Sequence, residues 1–136
     1  MIFVSSYFDY VRVRNYMKAK KMQFCNMCEY TSTTELLRAR TLFASGRRNF
    51  LLFTERYHFF RRFRIRGIRH LVFFSLPQNA HFYDELVNMM EFGAQQTEGT
   101  CVSLYSKYDS LALERIVGSE RCAKMLQSDR TTHMFC

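Results

Sequence analysis

Short apolar runs alternate with longer amphipathic stretches from the first residue onward. Met1–Ser5 (MIFVS) is a continuous apolar run, the pattern of a strand buried on both faces. A helix is predicted from Tyr7 to about Lys20, with Ser5 or Ser6 as its cap and Lys18, Lys20 and Lys21 at its negative end. Met22–Glu29 predicts a second strand. Ser32-x-x-Glu35 is a capping box, in which a hydroxyl and a carboxylate satisfy backbone N–H groups that the first helical turn leaves without partners. The helix it opens runs through Leu36, Leu37, Ala39, Leu42 and Phe43, and Gly46 falls where a helix C-terminal glycine belongs.

Phe50–Thr54 (FLLFT) predicts a third strand and Leu71–Leu76 (LVFFSL) a fourth, closed by Pro77. Phe82–Met90 suits a helix, Gly93–Gly99 a polar loop, and Cys101–Tyr105 a fifth strand. From about Ser110 to Gln127 the pattern is helical, broken near Gly118, with Ser119 placed to cap the second segment. Strands that alternate with helices and read as nearly unbroken apolar runs predict an α/β fold, a parallel sheet between two helical layers. No repeat or linker interrupts residues 1–136, which read as one domain.

Composition excludes several classes. The 136 residues are 48% hydrophobic, 16% aromatic and 24% charged, with one proline, which excludes a disordered or low-complexity chain. No apolar run approaches the roughly 20 residues of a membrane-spanning helix. Met1–Tyr10 lacks the basic leader and small-residue cleavage site of a signal peptide, and five cysteines is an odd number, so reduced thiols in an intracellular protein are expected. Charge is distributed unevenly. Residues 1–70 hold 15 Lys/Arg against 4 Asp/Glu, a net of +11, whereas residues 71–136 hold 5 against 8, a net of −3. Arginine outnumbers lysine 15 to 5. Its planar fork suits bidentate phosphate contacts and stacking on bases, so nucleic acid or an acidic protein is the expected partner.

The densest chemistry is RYHFFRRFRIRGIR, residues 56–69. Arg56, Arg61, Arg62, Arg64, Arg66 and Arg69 alternate there with Tyr57, Phe59, Phe60 and Phe63. Guanidinium groups neutralise phosphates and aromatic faces stack on unpaired bases, so Arg56, Tyr57, Phe60, Arg61, Arg62, Arg64, Arg66 and Arg69 are the candidate RNA-binding residues. The segment follows the C-terminal end of a predicted strand, where open α/β sheets bind ligands. The same letters also fit docking of an acidic protein segment, or arginines lining the edge of a phenylalanine core.

Other candidates are weaker. Cys25-x-x-Cys28 has no second ligand pair, and on a strand its two thiols face opposite sides, so no metal is expected. Histidines 58, 70, 81 and 133 are scattered. His81 beside Asp84 and Glu85 fits the start of a helix more simply than acid–base chemistry. Ser5-Ser6 lacks the flanking glycines of a nucleophile elbow, and neither glycine-rich phosphate-binding motif occurs. No cofactor is expected.

Met1–Ser6 ends an apolar strand in small polar residues. Glu29 to Gly46 carries spaced Arg38 and Arg40 and closes on Phe43-x-x-Gly46, Phe50–Glu55 ends in Thr-Glu, and Arg66-Gly67 precedes Leu71–Pro77. In that order these pieces resemble the second RecA-like lobe of superfamily-two RNA helicases. In working helicases an arginine-rich motif that contacts ATP follows the Leu-Pro. Aligned on Tyr83, its arginine positions hold Leu86, Met89 and Phe92, and Glu55 stands where the aspartate of Thr-Asp would be. An arginine finger has no substitute in leucine or methionine, so the resemblance implies a lobe without ATP-driven catalysis.

The strings SYFDYVRVRNYMK, LLFTERYHFFRRFRIRGIRHLVFFSLP, HFYDELVNMM and LYSKYDSLALERIVGSERCAKMLQS more specifically resemble the C-terminal region of the digestive organ expansion factor family, the Utp-twenty-five components of the small-subunit processome. That resemblance implies a nucleolar protein of early small-subunit assembly. It would be associated with the U3 small nucleolar ribonucleoprotein and required for 18S rRNA maturation. The expected partners are pre-rRNA or small nucleolar RNA, small-subunit processome proteins and a first RecA-like lobe in the same polypeptide, with no membrane. It also implies a fragment of a longer protein, truncated at Phe135-Cys136.

Overall fold

The computed structural model describes residues 1–91 and 99–134. Among the described residues there are five strands: β1 (Ile2–Val4), β2 (Phe24–Met27), β3 (Phe50–Thr54), β4 (His70–Phe73) and β5 (Thr100–Ser103). Six α-helices among these residues connect and follow them: α1 (Tyr7–Ala19), α2 (Thr33–Ala44), α3 (Glu55–Arg61), α4 (Ala80–Val87), α5 (Ser110–Val117) and α6 (Ser119–Gln127). The strands form one sheet in the order β2-β3-β1-β4-β5, and every neighbouring pair is parallel. Phe3 lies opposite Phe53 on one side and Phe73 on the other, so three aromatic rings cross the middle of the sheet in register.

The two-residue period of a strand sends alternate side chains to opposite faces. Phe3, Met27, Leu51, Phe53, Leu71 and Phe73 point to the face covered by α2, α3 and α4, where Leu36, Phe43, Tyr57 and Leu86 complete the larger core. Ile2, Val4, Phe24 and Leu52 point to the α1 face and pack on Tyr10 and Val11. Cys25, on β2, belongs to the first cluster, and Cys28, one residue past the end of that strand, to the second. A third cluster joins Leu76 to Leu113, Cys122 and Met125 and seats α5 and α6. No helix among the described residues is long and apolar enough to cross a membrane.

Local signals and tertiary packing agree at most element boundaries and diverge at several. β3 spans Phe50–Thr54 as expected, and the Ser32–Glu35 capping box forms, with Glu35 N–H donating to Ser32 Oγ and Ser32 N–H to the Glu35 carboxylate. Gly46 has φ +71 just beyond the end of α2, the left-handed turn for which glycine is suited. β2 is shorter than Met22–Glu29. β4 stops at Phe73, because Leu76 leaves the sheet for the third cluster. Helix α4 begins at Ala80, since Asn79 caps it by accepting from His81 N–H at 3.2 Å.

Ser6 caps α1 through its backbone only, and Ser5 Oγ instead bonds Ser75 Oγ at 2.7 Å. Gly118 caps α6, while Ser119 Oγ donates to Glu114 at 2.6 Å. The expectation that every strand is buried on both faces fails at β5, an edge strand whose Cys101 and Val102 are exposed. Phe92, nearly all of the Gly93–Gly99 loop and Phe135-Cys136 lie outside the described residues.

Candidate nucleic-acid interface

The arginine–aromatic segment begins where β3 ends, and its first seven residues form α3, a helix that the alternation of arginine and phenylalanine does not announce. Thr54 makes the junction. Its Oγ1 accepts from Tyr57 N–H at 3.3 Å, capping the helix, and donates to the Glu29 carboxylate at 3.0 Å, tying β3 to the end of β2. Glu55, the first helical residue, turns inward and accepts from the N–H groups of Gln78 (3.0 Å) and Asn79 (3.1 Å). Burial pushes its carboxyl above the ordinary range, against the pull of those two bonds.

The inner face of α3 is held by residues distant in sequence. His58 is fully buried, its ring edge-on to Phe53 and Phe82, and its Nε2 bonds Glu85 of α4 at 2.8 Å. Burial lowers the His58 pKa, and the Glu85 carboxylate opposes that shift. The helix stops at Arg62, which adopts φ +42, lies over the Phe82 ring at 5.4 Å and approaches Glu85 at 3.7 Å. Tyr57 is 3% exposed and packs edge-on to Phe53. It is therefore a core residue, and the expectation that its ring stacks on a base is corrected by its burial.

The outer face carries Arg56, Phe59, Phe60 and Arg61. Phe59 and Phe60 are 59% and 63% exposed, set edge-to-face at 5.3 Å, with the Arg56 guanidinium 5.9 Å from the Phe60 ring. Beyond Arg62 the chain crosses the α2–α4 face to reach the start of β4, because two parallel strands must both begin at the same edge. Ile65 and Ile68 are buried along this return and leave Arg64 and Arg66 exposed. Phe63 meets Arg40 of α2, whose guanidinium also donates to Arg64 C=O at 3.4 Å. Gly67 passes so close to α2, with φ +83, that a Cβ there would stand 3.1 Å from Ala44 Cα.

Arg69 reaches the opposite edge of the sheet, beside Met1, Arg48 and His70. The six arginines thus form a band that runs from one sheet edge to the other. Arg56, Arg61 and Arg62 belong to the strand C-terminal edge and Arg69 does not.

Two hollows flank α3 at that C-terminal edge. One of about 770 Å³ lies between Arg56, Phe59 and Phe60 on one side and Gln78, His81 and Arg115 on the other. The second, of about 470 Å³, lies between Tyr30, Arg56, Phe60 and Arg61 above Glu29. No motif marks Tyr30 or Arg115 in the sequence, and His81 stands out there only as a weak acid–base candidate, although Tyr30 lies just past the end of a predicted strand, where ligand contacts concentrate in this fold class. Leu86, at the first position where the helicase pattern has arginine, is fully buried in the main core, and Met89 packs against it.

A five-stranded parallel sheet in this order, flanked by helices, is a RecA-like α/β fold. The E. coli DEAD-box protein SrmB, solved bound to the regulator of ribonuclease activity A, matches with a TM-score of 0.66 at 20% identity over 85% of this chain and 65% of that one. The C-terminal domain of the DEAD-box protein Dbp5 matches with a TM-score of 0.66 at 18% identity over 85% and 66%. Sequence narrows the class further. The family model described as "Utp25, C-terminal domain" matches residues 1–135, and the chain belongs to that family. The U3 small nucleolar RNA-associated protein 25 homolog of Xenopus tropicalis is 48% identical over 137 residues, covering 99% of this chain and 18% of that protein. The chain spans about a fifth of the length of the curated relatives it matches.

Proposed function

We propose that this domain is a non-catalytic, helicase-like scaffold of the small-subunit processome. It would act in the nucleolus, contacting pre-rRNA or small nucleolar RNA and neighbouring assembly factors in support of 18S rRNA maturation. The family membership and the names of the relatives support the setting. The observation that carries the RNA contact is the outer face of α3, where Arg56, Phe59, Phe60 and Arg61 stand exposed at the strand C-terminal edge. Arginines there neutralise phosphates and free aromatic faces accept bases.

Three features support a lobe without ATP-driven chemistry. The Thr54 hydroxyl is occupied by Glu29 and Tyr57, the Glu55 carboxylate by Gln78 and Asn79, and Leu86 fills a core position where an arginine finger would have to project. The greater length of the relatives leaves room for a first RecA-like lobe as an intramolecular partner. UV cross-linking in cells, with cross-linked peptides and RNAs both sequenced, tests the reading. Cross-links from residues 56–66 to pre-rRNA or small nucleolar RNA are expected. Protein-only cross-links from this segment would replace RNA contact with docking of an acidic partner, and ATP turnover lost on altering Thr54 would overturn the non-catalytic assignment.

A further inference from the structure

Two exposed rings at the strand C-terminal edge are each braced by a chain of rings that ends in the core. Tyr30, 70% exposed just beyond β2, meets Tyr7 edge-on at 5.0 Å, and Tyr7 stacks at 5.6 Å on Tyr10, a buried residue of the α1 core. Phe60 meets Phe59 edge-on at 5.3 Å, and Phe59 meets the buried Phe82 at 6.4 Å. Leaving large rings in water forfeits the free energy of burying them, and bracing removes the freedom that would otherwise be lost on binding. Tyr30 and Phe60 line the same hollow, of about 470 Å³, and its rim carries Arg56 and Arg61. Glu29 also lines it, half-buried and bonded by Thr54, so the exposed guanidiniums of Arg56 and Arg61 are where a phosphate is favoured.

We propose that this hollow is a two-base clamp for single-stranded RNA, a site that rests on the RNA-binding reading above. One unpaired base stacks on Tyr30 and another on Phe60, while the phosphate between them sits on Arg56 and Arg61. Arg56 and Phe60 also border the larger hollow, of about 770 Å³, which leads the strand onward towards His81 and Arg115. With strands about 4.8 Å apart, the path from β2 past β3 and β1 to β4 is about 14 Å long. The clamp draws on α1, the β2–α2 loop and α3, so it is absent from any contiguous stretch of sequence. A duplex, whose bases are already stacked and paired, has no free faces for it.

Fluorescence anisotropy with labelled ten-nucleotide oligoadenylate and oligouridylate tests the clamp. Tyr30→Ala and Phe60→Ala are each expected to weaken binding about five- to 150-fold with little change in salt dependence, and Tyr30→Phe to retain it. On the unaltered protein, an abasic oligomer of the same length should lose as much affinity as the alanine variants cause, which needs no mutant to fold. Abasic and base-bearing oligomers that bind alike would overturn the clamp. So would full binding by Tyr30→Ala and Phe60→Ala when Arg56→Ala with Arg61→Ala abolishes it, and in that case the RNA-binding reading itself would stand. RNA affinity unaffected by all four substitutions, with Tyr30→Ala releasing a protein from the particle, would overturn both.

Discussion

The Thr54 hydroxyl donates to the Glu29 carboxylate at 3.0 Å, joining the ends of two neighbouring parallel strands, and the same oxygen caps α3. One buried oxygen therefore fixes both the edge of the sheet and the first turn of the helix that displays the arginines. Thr54→Val removes donor and acceptor together at nearly constant volume. A loss of roughly 1–2 kcal/mol is expected from the missing cap, read as a lower urea midpoint, with Thr54→Ser close to the natural protein. An unchanged midpoint for Thr54→Val would mean that α3 is held by its packing alone.

His58 supplies a pH dependence whose sign follows from its burial. Its folded-state pKa lies below the ordinary imidazole value, so the unfolded chain binds the proton more readily. The stability contributed by the neutral ring is therefore complete above about 6.5 and declines as pH falls below it. Glu85 favours the charged ring, and Arg62, on the other oxygen of that carboxylate, opposes it. His58→Gln keeps a donor for Glu85 and does not titrate. Denaturation between pH 7 and 5 should show a shallower loss of stability for this variant, and identical slopes would remove His58 from the acid response.

Gly67 is required by space and by torsion together. With φ +83 and a built Cβ 3.1 Å from Ala44 Cα and 3.4 Å from Phe43 C=O, Gly67→Ala strains the backbone and pushes the arginine crossover off α2. A cost of about 1–3 kcal/mol is expected in chemical denaturation. Gly46→Ala, at a left-handed position with open space, should cost less. Equal costs at both positions would show that the close approach to α2 contributes nothing.

Division of the arginines between two sheet edges makes a sharper prediction than their number does. Arg56→Ala with Arg61→Ala should flatten the salt dependence of single-stranded RNA binding by about 0.7 log units for each lost phosphate contact. Arg69→Ala, at the far edge beside Arg48 and His70, should leave the slope unchanged. An equal effect from Arg69 would place the RNA across the crossover instead of the strand C-termini.

Much of this architecture is legible in the one-dimensional pattern, because it depends on interactions local in sequence. FLLFT at 50–54 is a strand in any context that buries both its faces, and Ser32 caps its own helix through a residue three positions on. The alternation of such segments and the one-sided excess of arginine specify a parallel α/β domain with a basic segment, and the order of the pieces points to the RecA-like fold. The face that α3 shows to solvent is a different matter. Tyr57 and His58 point inward while Phe59 and Phe60 point outward, and no periodicity in YHFF separates the two pairs.

That choice is made by Glu85, 27 residues away, which bonds His58, and by Phe53 and Phe82, which receive the Tyr57 and His58 rings. Likewise, Tyr30 and Phe60 come to face one hollow only because β2 and β3 are neighbours in the sheet. Sequence by itself determined the elements and the charge, since propensity, capping and two-residue alternation act over a few positions. Only the tertiary structure decided which aromatic rings are core and which are surface, because that depends on partners the fold brings together across long separations.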